Sequence, residues 1–168
     1  MTTIDYLNTC PAEAFVAKIG FAFEDSPWIA QAAAAQRPFA DRTALHAAMV
    51  AIVERAGVDA QVALIAAHPD LAGRVAREGR LTAASAAEQA GAGLGALTPA
   101  EIGHFDADNG AYRTRFGFPF VICARENTKE SILAALAARL ENDRAIEIAT
   151  ALAEIAKIAR LRIEDAVS

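Results

Sequence analysis

Apolar residues recur at helical spacing over most of the chain, and the breaks between them carry residues that start or stop helices. Pro11 opens a segment with Phe15, Val16 and Ile19, which Gly20 closes. Ser26-Pro27 starts a second, with Pro27 at a position where a missing N–H costs nothing. Asp41 caps a run through Leu45, Met49, Ile52 and Val53 that Gly57 ends. Asp59 begins a shorter helix with Val62, Leu64 and Ile65, stopped near His68 by Pro69. A looser, Gly- and Ala-rich region follows from Gly73 to Leu97, in which the capping-box spacing of Ser85 and Glu88 predicts a short helix opened by Ser85. Thr98-Pro99-Ala100-Glu101 is a stronger start, for a helix reaching about Arg115. Thr128 caps a helix through Ile132, Leu133, Leu136 and Leu140. Asn142 or Asp143 begins the last, with Ile146, Ile148, Leu152, Ile155, Ile158, Leu161 and Ile163 as its apolar side.

One stretch breaks the rule. Phe116-Gly117-Phe118-Pro119-Phe120-Val121-Ile122-Cys123-Ala124 is apolar, rich in β-formers and interrupted by Gly and Pro, so it reads as extended. No other segment offers it a partner strand. Its buried N–H and C=O groups then need helix ends, water or a ligand. Two readings stand: a buried connector, or a wall whose amides bind a polar ligand. The fold class is therefore all-α, a single-domain helical bundle over residues 1–168, with one extended, non-sheet segment around residues 118–124.

Composition adds to this picture. Alanine dominates a 54% apolar content, which favours helices that approach closely. The net charge of −5 argues against a nucleic-acid or anionic-membrane partner, and no apolar stretch is long enough to span a bilayer. Cys10 and Cys123 form neither a metal nor a redox pattern, which suggests a reducing compartment. The opening residues lack the features of a signal peptide, and Ala166-Val167-Ser168 is not a peroxisomal address, so cytoplasm is the expected location.

Candidate chemistry is sparse. His46 and His104 fall within helical patterns. His68 differs, because Pro69 forces its backbone out of helix at a junction where an imidazole can project into a cleft. A satisfied turn histidine is the alternative. Ser85, Glu88 and Gln89 suit a ring bearing N–H and C=O groups, unless Glu88 merely completes a cap. Arg113, Arg115, Arg125 and Lys129 flank the extended stretch as a local reversal of sign, suited to carboxylates and ureido oxygens or simply paired with Asp106, Asp108 and Glu126. No dinucleotide, phosphate-loop or His-Glu-x-x-His motif is present, and His104, Asp106 and Asp108 point in different directions on a helix. The expectation is a reaction without cofactor or metal, on a substrate that carries its own electron sink.

Four strings bring a family into view. Arg37-Pro38-Phe39, His68-Pro69-Asp70-Leu71-Ala72-Gly73, Ser85-Ala86-Ala87-Glu88-Gln89-Ala90-Gly91 and Tyr112-Arg113-Thr114-Arg115-Phe116-Gly117-Phe118-Pro119-Phe120-Val121-Ile122 together resemble the 2-oxo-4-hydroxy-4-carboxy-5-ureidoimidazoline (OHCU) decarboxylase family. Glu154 to Arg162 is similar to that family's last helix. The chain departs from many relatives at Ile122 to Asn127, where they carry a small residue or glycine near Arg125. The resemblance implies an all-helical enzyme, usually a homodimer, that needs no cofactor and converts a small ureide, OHCU, to (S)-allantoin in urate degradation. It implies His68 as the catalytic acid/base, with Glu88 beside it. Pro69, Ser85, Ala86, Ala87, Glu88, Gln89 and the backbone of Phe120, Val121, Ile122, Cys123 and Ala124 would line the substrate. Arg113, Arg125 and Arg162 are candidate anion contacts. The competing readings are a lyase or racemase for another ureide, and a non-enzymatic helical binding module.

Overall fold

A computed structural model describes residues 2–168. Its helices are α1 (Ile4–Thr9), α2 (Ala12–Ile19), α3 (Pro27–Ala34), α4 (Arg42–Arg55), α5 (Val58–Ala66), α6 (Arg74–Arg77), α7 (Ala83–Gly91), α8 (Pro99–Phe116), α9 (Lys129–Arg139) and α10 (Arg144–Ala166). Single 3-10 turns occupy Gly20–Ala22 and Ala124–Glu126. Among the described residues the β pairing is an isolated parallel bridge between Thr2 and Val167. The fold is all-α. No described helix is long and apolar enough to cross a membrane.

The chain divides into two compact units, Met1–Ala67 with Ala156–Ser168, and His68–Ile155. In the first unit α3 packs on both α2 and α4. Ala30 and Ala33 are fully buried on α3, and their small side chains let the larger Phe15, Ile19, Leu45 and Met49 of its neighbours close over it. Asp41 caps α4 by accepting from the Ala44 N–H at 2.7 Å. Helix α1 has no counterpart among the expected elements, because six residues with one buried side chain, Leu7, give no periodic pattern. Gly57 does not close α4; it is the N-cap of α5, and Asp59 sits in that helix's first turn, where a carboxylate meets the positive end of the dipole.

The second unit is built on α8. The expected capping box of Thr98 and Glu101 is present, and Gly117, at φ +80°, ends the helix with its N–H on the carbonyl of Arg113. Beyond Gly117 the chain folds back on α8. Tyr112 sits at its centre, with ring centroids 4.6 Å from Phe116, 6.1 Å from Phe118 and 5.4 Å from Phe120. Helix α9 packs on α8, and Lys129 at its start meets Glu101 at 2.6 Å. That ion pair and the cap hold the Glu101 carboxyl down at about 2 and raise the Lys129 amine.

Two expectations need correction here. Thr82, not Ser85, caps α7: its hydroxyl accepts from the Ser85 N–H at 3.3 Å, so Ser85 is the third residue inside the helix. The buried face of α10 in this unit runs through Glu147, Ile148, Ala151 and Ile155, whereas Ile146 is 53% exposed. One residue is 100° on a helix, and the charged neighbour took the inward position.

Candidate active site

The turn carrying His68 is fixed by geometry that few residues tolerate. Helix α5 ends at Ala66, Pro69 bars its continuation, and Ala72 adopts φ +52°, an uncommon value for a residue with a Cβ. The next residue must be small: a Cβ on Gly73 would stand 2.8 Å from the Cβ of Asp70. The turn is then tied down from three helices. Gln89 on α7 accepts from the Ala72 N–H at 2.9 Å. Asn109 on α8 donates to the Leu71 carbonyl at 2.9 Å, and Arg77 on α6 donates to the Ala72 carbonyl at 2.7 Å. His68 itself is only 6% exposed, with its Nε2 enclosed.

Helix α7 lies between this turn and the extended stretch, bonded to the first through Gln89 and packed against the 3-10 turn at Ala124–Glu126. Ser85 and Gln89, one turn apart, are its buried side chains. Glu88 is half-buried, while Ala86 and Ala87 are exposed on other faces, so their side chains do not line an interior site. Gln89 also proves to be partly structural, since its carbonyl oxygen is occupied by Ala72.

The extended stretch runs without a sheet, as expected, and is buried from Phe118 to Ala124, although Ala124 already belongs to the 3-10 turn. Its backbone is held from one side by side chains. Arg139 donates to the Val121 carbonyl at 2.8 Å, and its guanidinium lies 4.4 Å from the centre of the Phe120 ring. Glu154 accepts from the Cys123 N–H at 2.8 Å. In a trans peptide the C=O and N–H point in opposite directions. With the Val121 carbonyl turned to Arg139, the Ile122 N–H faces away from it. With the Cys123 N–H turned to Glu154, the Ile122 carbonyl faces away from that. The N–H groups of Phe120, Val121 and Ile122 have no acceptor among the described residues. Residue 122 thus offers a donor and an acceptor, the complement of an amide or ureide edge. Burial first, and Glu126 next, push the Cys123 thiol up, which disfavours its thiolate.

Several of the basic residues have partners within the chain. Arg113 is exposed and bonded to Asp70 at 2.9 Å, a partner its sequence context did not suggest, while Asp106 pairs with Arg77. Arg115 donates to the Asn142 carbonyl, and Arg125 is exposed. Arg162 lies in the first unit, 4% exposed, bonded to Glu24 at 2.8 Å and to the Phe21 carbonyl at 3.1 Å. His46, also there, bonds the Ala156 carbonyl, and His104 is exposed. The sequence alone points to no site role for Arg139, Glu147 or Glu154, which hold the extended stretch from behind. The available signal was an acid, Glu147, set between two isoleucines of an apolar run.

The OHCU decarboxylase family profile matches residues 8–164. This chain belongs to the OHCU decarboxylase family. The OHCU decarboxylase of Amia calva is 42% identical over 159 residues, 95% of this chain and 91% of that one. The OHCU decarboxylase of Halalkalicoccus jeotgali is 37% identical over 163 residues, 97% of this chain and 90% of that one. Among solved structures, a crystal structure of (S)-allantoin synthase superposes with a TM-score of 0.79 at 30% identity, covering all of this chain and 54% of that one. Three of the four strings that carry the likeness, from His68 to Ile122, fall within the second unit, and Arg37-Pro38-Phe39 lies in the first.

Proposed function

We propose that this chain removes CO2 from OHCU to give (S)-allantoin, and that His68 moves the protons. The observation that carries this reading is the convergence, within one unit, of a buried histidine turn, helix α7 and an extended stretch whose Ile122 N–H points away from Arg139.

The substrate bears a hydroxyl and a carboxylate on one ring carbon, next to a carbon doubly bonded to nitrogen. When the bond to the carboxylate breaks, its electron pair forms a C=C bond to that neighbour, and the C=N pair moves onto the ring nitrogen. The hydroxyl carbon then becomes a carbonyl as a proton reaches the ureido-bearing carbon. One proton enters in net, on the ring nitrogen that received the C=N pair, as CO2 leaves. His68 takes the hydroxyl proton and delivers a proton to the ureido-bearing carbon, with Glu88 orienting the imidazole. Delivery to one face sets the (S) configuration. Ser85, the amide nitrogen of Gln89 and the backbone of residues 120–124 hold the ring and ureido group in register, with Pro69 closing the turn side. Ala86 and Ala87 contribute the helix that carries their neighbours. Arg113 and Arg125, both exposed, would be the charges a carboxylate first meets. The low exposure of His68 and of the wall keeps water from the developing carbanion.

This reading takes the chain as one catalytic domain that acts as a cytoplasmic homodimer, which sedimentation would test. The decisive experiment is His68→Asn, assayed on freshly generated OHCU by circular dichroism of the allantoin formed. Loss of general acid–base help should lower kcat by about 10²–10⁴ with the fold intact. Unchanged turnover would remove His68 from the mechanism.

A further inference from the structure

Behind the wall lies a buried polar hub that neither the family match nor the proposed proton chemistry assigns. Glu147 is fully buried and gathers three donors: the Tyr112 hydroxyl and Arg139 Nε on one oxygen, each at 2.5 Å, and Asn142 on the other at 2.9 Å. Its charge is matched by Arg139, whose side chain is 10% exposed. Burying two charges is costly unless geometry and hydrogen bonds are nearly complete, and a hydrophobic pair would fill the same space as well. The arrangement therefore asks for a reason beyond packing.

The reason is visible at the far end of the guanidinium. Glu147 occupies Arg139 Nε, so Nη1 is aimed in one direction, at the Val121 carbonyl 2.8 Å away. The planar fork cannot swivel without breaking the Glu147 contacts. Glu154, seven residues or two turns further along α10, receives the Cys123 N–H. Glu147, through Arg139, and Glu154 thereby fix the two peptide planes on either side of Ile122.

We infer that Arg139, anchored by Glu147, is a positioning residue for the decarboxylation: it sets the peptide plane whose other edge presents the Ile122 N–H to the substrate. The inference rests on the proposed reading of the wall as the substrate's binding edge. Lysine keeps the charge but has no fork, so Arg139→Lys lets that peptide rotate. Glu147→Gln keeps the volume but weakens the anchor and should give a smaller effect of the same kind.

The test compares wild type, Arg139→Lys and Glu147→Gln for melting temperature, steady-state kinetics on OHCU, affinity for (S)-allantoin and the ¹⁵N amide resonance of Ile122. A smaller folded fraction lowers kcat and leaves KM alone. A misplaced wall raises KM. Arg139→Lys is expected to melt cooperatively, to raise KM and weaken (S)-allantoin by about three- to tenfold, the worth of one hydrogen bond, and to move the Ile122 resonance. A KM within twofold of wild type, a loss confined to kcat, or failure of both variants to fold would overturn the inference. If wild type itself fails to accelerate OHCU decay, the functional reading falls, and the Ile122 resonance alone then decides whether Arg139 orients the wall.

Discussion

Each compact unit contains a buried arginine–glutamate pair among its described residues, and the two pairs end in different places. In the first unit Arg162 bonds Glu24 and the carbonyl of Phe21, joining side chains 138 residues apart. The carbonyl it holds belongs to the 3-10 turn after α2. In the second unit Arg139 and Glu147 are eight residues apart, and the carbonyl they hold belongs to an extended stretch with no strand beside it. The same chemistry fastens distant parts of the chain in one case and orients a peptide edge in the other. A buried ion pair is thus read by what its spare donor grips. The surroundings differ as well: small alanines let α3 nest against its neighbours in the first unit, whereas in the second the rings of Phe116, Phe118 and Phe120 gather around Tyr112.

Removing one partner is the most severe way to break the comparison. Arg162→Met leaves Glu24 buried without its countercharge and should cost about 3–5 kcal/mol in urea unfolding. Turnover should fall in step with the folded fraction. Loss of turnover in fully folded Arg162→Met protein would instead give Arg162 the role of an anion contact.

A smaller effect is expected where α7 begins. Thr82→Ala removes the cap and should destabilise by about 1 kcal/mol, measured by urea unfolding. The same loss from Ser85→Ala, with Thr82→Ala silent, would restore Ser85 as the cap.

The mildest prediction concerns the pair joining α8 and α9. The Glu101 carboxyl, ordinarily at 4.5, is held at about 2, so its contribution to stability is present above about 4.5 and fades as pH falls toward 2. The melting temperatures of wild type and Glu101→Gln should differ at pH 7 and converge near pH 2. A constant gap across that range would mean that the Lys129 contact does not stabilise the fold.

Much of the architecture was legible because helix ends are written locally. Asp41, Thr98 and Thr128 cap the helices they were expected to cap, and the lack of any strand to pair with Phe118–Ala124 correctly isolated that segment. The errors share a cause. Ser85 and Glu88 imitate a capping box, and Thr82 displaces them because the helix begins one turn earlier. Ile146 fits an apolar period, yet Glu147 turns inward because Tyr112, Arg139 and Asn142 supply its hydrogen bonds. Pairs such as Arg113 with Asp70 depend on a turn whose shape no periodicity encodes. Those tertiary bonds, rather than the helices, hold the backbone of the candidate site.

Cys123 gives this wall a native chemical reporter. Its thiol is buried and its acidity suppressed, so alkylating reagents, which attack the thiolate, should meet it only when the stretch lifts from α10. The rate of its modification, separated from that of Cys10 by mass spectrometry, would then clock the opening of the wall in unlabelled, unmutated protein.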